Sequence, residues 1–376
     1  MVTVLENVMN WLPLGLPAFI FVITFVVGIH ELGHFLVARF FGVGVETFSI
    51  GFGKEIFGWT DRKGTRWKVS WLPIGGYVKF LGDEDAASTP DRERLSRMNA
   101  EERSHTLPFK PLGQRALVAA AGPVANFLLA IVVFTLLFTF FGAKALSTYV
   151  GSVTPHSPAA AAGIKAGDKI TAINHKPVRL FAELYGVIGD SDGKPLAVSI
   201  DRNGKAMTLN VTPRLIVSKD IYGTPVKTVA IGVGLGPDTP ANTVYIPVPL
   251  LQAPVAAAAQ TWGIVDMTFT YLWRIVSHHA DASQLGGPIG MAQMAKSAAS
   301  HGPYELVYLL AFISVSIGLI NLFPIPLLDG GHLLYYGCEA VLGRPLGERA
   351  QDLGFRLGLA LVLGLMIFAT WNDLVR

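Results

Sequence analysis

Charge is scarce in this chain: Asp, Glu, Lys and Arg make up 15% of its 376 residues, against roughly 25% in ordinary soluble domains. A mean hydropathy of +0.45 accompanies that deficit, and together they describe a membrane protein. Cysteine is scarcer still. With only Cys338 available, an intrachain disulfide is impossible, which excludes a disulfide-stapled secreted scaffold and a zinc site built on several thiolates. A net charge of +3 and a pI near 8.9 are too mild for nucleic-acid binding, so no nucleic-acid partner is expected. Basic residues are also missing ahead of the first apolar run. That absence argues against a cleaved secretory signal with its basic leading region, and for a retained span.

What the chain does have is long apolar runs. About 20 such residues cross a bilayer core of roughly 30 Å, and four stretches qualify: 12–41, 116–141, 306–322 and 353–371. The second holds 26 residues without a charge, about 39 Å of helix. Eleven Lys and Arg residues, from Lys54 to Lys110, separate the first two runs. Cytoplasmic loops carry such an excess, so this loop is read as cytoplasmic, and the N-terminus and residues 142–303 as external. A further apolar stretch, 250–276, contains Asp266 and Arg274. Its Trp262, Val265, Phe269, Leu272 and Val276 recur at helical spacing, which predicts a helix lying in the interface rather than a fifth span.

The expected fold is thus a polytopic α-helical membrane protein with four transmembrane helices, membrane-associated β-hairpins and one external α/β module. The segments are 1–42 (first span), 43–114 (cytoplasmic loop), 115–142 (second span), 149–235 (external module), 236–303 (interfacial helical segment) and 304–376 (third and fourth spans). In the loop, Trp67, Val69 and Trp71 alternate along a strand expected to end at Pro73, and residues 83–110 read as a mobile connection. In the module, alternating residues flank Asn203-Gly204, a hairpin signal. Ser157-Pro158 opens a short helix that Gly163 closes, with Ile170 and Ile173 in the next strand.

The chemistry concentrates in His30-Glu31-Leu32-Gly33-His34, inside the first run. Residues four apart share a helix face, so two imidazoles reach one metal ion, with Glu31 beside them as general base for a metal-activated water. A solvated amphipathic helix would explain the same letters in a soluble chain, but ionisable groups inside a span are expensive and mark function. Catalytic zinc usually takes three protein ligands and leaves one position open. Asp329, in Asn321-Leu322-Phe323-Pro324-Ile325-Pro326-Leu327-Leu328-Asp329-Gly330-Gly331-His332, is the candidate third ligand. Its prolines break the helix where only protein or a water-filled cavity can receive the freed backbone. The topology puts both motifs toward the cytoplasmic ends of two spans that run the same way, so they can meet.

At these residues the chain resembles the site-2 protease family, in its bacterial regulator-of-sigma-E protease branch. The resemblance rests on the His-Glu-x-x-His cluster, on Asn321, Pro324, Leu328, Asp329 and Gly330, and on Gly122-Pro123-Val124-Ala125-Asn126. Pro73-Ile74-Gly75-Gly76-Tyr77-Val78-Lys79 and Gly287-Pro288-Ile289 also match. It implies a Zn2+-dependent endopeptidase of the bacterial cell inner membrane, acting toward the cytoplasmic side of the lipid bilayer, with residues 149–235 resembling a PDZ domain. It further implies a single-pass membrane protein as substrate, such as an anti-sigma factor or a leftover signal peptide. By the same resemblance Asn126 and Asn321 hold the substrate backbone, the alternative being interhelical hydrogen bonds. The stretch around Gly75, Gly76 and Tyr77 could offer an edge for strand addition, the alternative being a plain structural hairpin. His332 has no assigned role, and His105, His156, His175, His278, His279 and His301 read as surface residues. Two other classes remain open. A metal carrier would have no need of Glu31, and a catalytically silent peptide receptor would have no need of three ligands and a base.

Overall fold

The computed structural model describes residues 2–84, 91–219, 225–236, 239, 242–277, 282 and 285–375. The chain opens with α1 (Val2–Phe40), the hairpin of β1 (Val45–Thr60) and β2 (Arg66–Phe80), the short helices α2 (Arg92–Arg97) and α3 (Ala100–Ser104), and α4 (Leu112–Phe140). Then come β3 (Ala143–Leu146), β4 (Val150–Val153), α5 (Pro158–Ala161), β5 (Lys169–Ile173), β6 (Lys176–Pro177) and α6 (Phe181–Gly189). Six strands follow: β7 (Leu196–Arg202), β8 (Lys205–Val211), β9 (Arg214–Lys219), β10 (Pro225–Ala230), β11 (Val233–Leu235) and β12 (Thr243–Ile246). The remainder is helical, with α7 (Ala253–Val276), α8 (Pro288–His301), α9 (Pro303–Asn321), α10 (Asp329–Leu342) and α11 (Glu348–Val375). Two compact units result, one of Met1–Leu137, Ala253–Phe269 and Ala282–Arg376, the other of Phe138–Gln252 and Thr270–Asp281.

Four helical segments of the described residues are long and apolar enough to cross a membrane: Pro13–Phe40, Leu112–Phe140, Pro303–Asn321 and Arg349–Val375. In the first unit, Ala18, Val22 and Val26 of α1 are buried against Ala295 of α8 and Leu309, Leu310 and Ile313 of α9. Lower on α1, Phe35 and Ala38 pack with Val45, Phe48, Val78 and Phe80 of the hairpin and Val118 of α4. The hairpin therefore stands against the same helix that carries the metal-ligand motif. Helix α7 buries Ala253, Ala257, Thr261, Ile264 and Val265 and exposes Val255, Trp262, Phe269 and Val276. Val265 is thus buried although its stripe-mates Trp262, Phe269 and Val276 are exposed, which puts it at the border of the two faces.

Two expectations for the loop need correction. Pro73 does not end β2; it sits at a bend inside the strand, where its missing N–H costs no ladder bond and its carbonyl accepts from Thr24 of α1. Residues 45–50 have partners on both sides, 76–80 and 66–69, and 66–69 also pair with 57–60. The hairpin is folded over itself, with 55–60 and 76–80 as its outer segments. Nor are residues 91–110 a free connection. Asp91 and Asn99 cap α2 and α3, Asn99 through a capping box with Glu102. Arg94 pairs with Glu46 of β1 at 2.5 Å, and Leu95 is buried. Charges that looked like solvated polarity are spent on caps and local pairs.

The second unit has the sheet order β6-β5-β7-β8. Arg202 pairs with Lys205 across Asn203 and Gly204, whose φ values of 53° and 83° are those of a two-residue hairpin turn. Ile170, Ile173, Val198, Ile200 and Val211 of the sheet pack with Phe181, Leu184 and Ile188 of α6. Beside this core, Asp168 accepts both Nε and an Nη of Arg202 at 2.7 Å, and the backbone N–H of Lys165. Arg202 holds the Asp168 carboxyl below the usual carboxylate range. A depressed carboxylate stabilises the fold at pH values above its unfolded pKa of about 4, and the stabilisation disappears as pH falls through the lower folded value. Asp168→Asn should therefore cost about 2 kcal/mol at neutral pH. Unfolding of the full chain, followed from neutral to strongly acid pH, should show wild type and variant converging below about pH 4; a constant difference would contradict this assignment.

Candidate metal centre

Helix α1 puts His30 and His34 one turn apart on one face, and the turn after α9 brings Asp329, first residue of α10, against them. His30 Nε2 and His34 Nε2 are 3.2 Å apart. Asp329 turns Oδ2 to His30 at 3.1 Å and Oδ1 to His34 at 3.4 Å. Ligand atoms bonded at about 2.0–2.1 Å around a tetrahedral zinc stand roughly 3.3 Å from one another, so these separations suit one shared ion. Among the described residues these three are the His, Cys, Asp or Glu side chains grouped closely enough to hold a metal. Burial alone would raise the Asp329 carboxyl; His34 and His30 outweigh it and hold the group well below the usual carboxylate range.

A second observation bears on the fit. A Cβ placed on Gly122 of α4 would collide with His34 Nε2 and stand 2.7 Å from His30 Cε1. The glycine leaves open the space toward which the imidazoles point. One position away in the same helix is Pro123, and one turn earlier the carbonyl of Val118 accepts from His34 Nδ1 at 2.8 Å. That bond puts the His34 proton on Nδ1 and leaves Nε2 free for a metal. Gly122 and Val118 were not singled out from the sequence as parts of the centre. A Gly-Pro pair inside an apolar run was the signal, since neither residue favours a helix interior.

Glu31 adjoins the three ligands in a cavity of about 1190 Å³ that it lines with His30, His34, Asp329 and Asn321. Val78, on the outer segment of the hairpin, lines the same cavity, with its backbone toward the Glu31 carboxylate. A Cβ on Gly76 would come within 3.5 Å of Glu31 Cγ. Tyr77 instead stacks on Phe52 with centroids 6.0 Å apart and lies under Lys68. Gly75, at φ 119°, packs under the Phe52 ring. Asn126 is fully buried, with its side-chain amide on His30 Nδ1 at 3.2 Å. His332 also lines the cavity, and burial holds its imidazole below the ordinary histidine range. His105 and His301 are exposed and bonded to the backbone carbonyls of Gly42 and Ser297. His156 and His175 occupy positive-φ positions, and His278 and His279 lie outside the described residues.

Comparison with known proteins agrees with this chemistry. The sequence profile of peptidase family M50 matches residues 18–365. A Rhizobium meliloti protein named as a zinc metalloprotease is 45% identical over 96% of this chain and 96% of its own. The metalloprotease MmpA of Caulobacter vibrioides is 41% identical over 96% of this chain and 95% of its own. Among solved structures, the PDZ domain of an SdrC-like protein from Listeria monocytogenes is 28% identical, covering 24% of this chain and 86% of that one, with a TM-score of 0.19.

Metal analysis of the purified protein should give one zinc per chain, sharply reduced in His34→Ala and in Asp329→Ala. Gly122→Ala should do the same while adding only a methyl group. Undiminished zinc in any of the three would remove that residue from the centre.

Proposed function

This chain belongs to peptidase family M50, and we propose that it is an intramembrane zinc metalloendopeptidase. In this reading it hydrolyses peptide bonds in or near the membrane-spanning segments of single-pass proteins. The observation that carries the reading is the meeting of His30, His34 and Asp329 beside Glu31, with both histidines inside an apolar helix long enough to cross a bilayer. A zinc ion held by these three residues supplies a Lewis acid that polarises the scissile carbonyl and lowers the pKa of water to about 7. Glu31, with Val78 beside it on the cavity wall, takes the proton of the attacking water and passes it to the leaving amine. In this reading Asn321, on the cavity wall, holds the substrate backbone.

A transmembrane substrate hides its peptide bonds in intrahelical hydrogen bonds and must unwind before it is cut. Residues 76–80 offer replacement partners by strand addition beside Glu31, and Gly76 allows close approach of a second backbone. The substrate class is a single-pass regulator already trimmed on the outer side, such as an anti-sigma factor, or a leftover signal peptide, as in regulated intramembrane proteolysis. The enzyme sits in a bacterial inner membrane with its N-terminus and the PDZ-like segment 149–235 external and the metal toward the cytoplasm. The excess of Lys and Arg between the first two spans supports that orientation. In sequence the PDZ-like segment lies between the second and third spans. It selects substrates, excluding proteins with bulky outer domains, and takes no part in the chemistry.

Two experiments test these assignments. Glu31→Gln should keep its zinc and lose cleavage of a trimmed single-pass substrate by at least about a hundredfold; near-normal cleavage would sink the mechanism. Replacing residues 150–213 with a short flexible linker should leave that cleavage intact and admit an untrimmed substrate. A folded, zinc-loaded linker variant that still rejects the untrimmed substrate would rule out the filter.

A further inference from the structure

The two histidines of the centre are not held alike. His34 has a carbonyl against Nδ1, that of Val118. A carbonyl only accepts, so the ring proton stays there and the Nε2 lone pair faces the metal position. Among the described residues no carbonyl plays that role for His30. Its Nδ1 meets the side-chain amide of Asn126 at 3.2 Å. That amide turns Nδ2 toward the ring, and its buried Oδ1 has no hydrogen-bond partner among the described residues.

An amide has nearly the same shape when turned end for end, so its orientation has to be read from what its partner requires. With Nδ2 facing the ring, His30 Nδ1 must accept, and in the neutral ring the proton goes to Nε2. Nε2 is the atom 3.2 Å from His34 Nε2 and 3.1 Å from Asp329 Oδ2, where a proton blocks ligation. With Oδ1 facing the ring, Nδ1–H donates to it and Nε2 is free. One end of the amide lacks a partner among the described residues in either orientation, so counting hydrogen bonds does not decide between them. The need of His30 does.

We propose that Asn126 is a positioning residue whose side-chain oxygen accepts the Nδ1–H of His30 and so keeps that ring in the tautomer that binds metal. This rests on the zinc reading of the centre. The placement favours this role over substrate contact. Asn126 is absent from the cavity wall and touches the chemistry through His30 alone. It is also held firmly. Its backbone carbonyl accepts from Ser314 Oγ at 2.8 Å, and a Cβ on Gly318 would stand 3.1 Å from its Cβ. Helix α4 thus serves both rings, with the Val118 carbonyl for one and the Asn126 side chain for the other.

The test is competitive titration of the purified full-length protein in detergent, zinc against a chelating indicator. Asn126→Ala should bind zinc roughly 10–100-fold more weakly than wild type. Asn126→Asp, which can only accept from the ring, should restore the affinity, and the Ser314 contact to the backbone survives in both. Wild-type affinity in Asn126→Ala overturns the proposal, as does a folded Asn126→Asp no better than alanine, because packing alone would then explain the loss. Should either variant fail to fold, 15N NMR of histidine-labelled, zinc-loaded wild type decides. A protonated Nδ1 and a metal-bound Nε2 on His30 support the proposal, and the reverse overturns it. Wild type that binds no zinc overturns the metal reading itself, an outcome distinct from unchanged affinity in Asn126→Ala.

Discussion

The metal centre depends on how closely α1, α4 and α9 approach, since its ligands come from residues about three hundred positions apart. Lipid gives apolar helices little reason to prefer one another over the solvent, so close packing and interhelical hydrogen bonds have to hold them. Small residues occupy the crossings. A Cβ on Gly33 would stand 2.7 Å from Ala125 Cβ and collide with the Ala121 carbonyl, and one on Gly318 would lie 3.1 Å from the Pro123 carbonyl. Helix α4 is consequently in backbone contact with both neighbours. It sets the gap across which His30 and His34 face Asp329, leaves room at Gly122, and supplies the groups that fix the rings. A methyl group added at Gly33 would act on the metal without touching a ligand.

The second constraint is backbone polarity in an apolar setting. Pro324 and Pro326 end the α9 helix, and the chain must turn back within a few residues to start α10 at Asp329. Glycines close that turn: a side chain on Gly331 would press within 2.6 Å of Pro326 Cα, and one on Gly358 of α11 would strike the Pro326 carbonyl. Leu327 has φ 124° without being a glycine, a conformation that costs about 1–3 kcal/mol and persists only where the surroundings enforce it. The strain lies two residues from Asp329, in the turn that brings this candidate ligand to the histidines. At the far end of α11, Asp373 accepts the N–H groups of Gly287 and Gly290 at the start of α8. A carboxylate from another helix thereby caps α8 where its own sequence offers Gly and Pro.

How much of this could be read from the letters follows from the range of each interaction. His30, Glu31 and His34 were legible because helical spacing is local and a charge in an apolar run is conspicuous. Asp329 needed topology as well, since a count of four spans is what lets its turn meet the two histidines. The strand continuing through Pro73 was not legible, because its acceptability depends on a bend and on Thr24, forty-nine positions away. Arg94 and Asp91 looked like loop solvation because the partner Glu46 and the capped helix become visible only once the chain folds back. Val265 shows the limit of periodicity. On α7 both faces are apolar, so spacing alone could not say which was buried.

An unpaired strand edge is usually a liability that proteins cover or charge, yet residues 76–80 form an outer segment of a hairpin lodged against α1. The edge is not idle in this structure, because Val78 lines the cavity beside Glu31. In the proposed reaction a substrate strand laid along 76–80 brings its scissile bond to that carboxylate, so the element that unwinds the substrate also sets where the bond meets the proton acceptor. Gly76 is suited to this place because a Cβ would press to 2.7 Å from the Ser49 carbonyl while touching Glu31. Recognition without side chains at the cutting point leaves sequence preference weak there. Choice among substrates must then come from elsewhere in the chain, and from whether a segment can unwind at all.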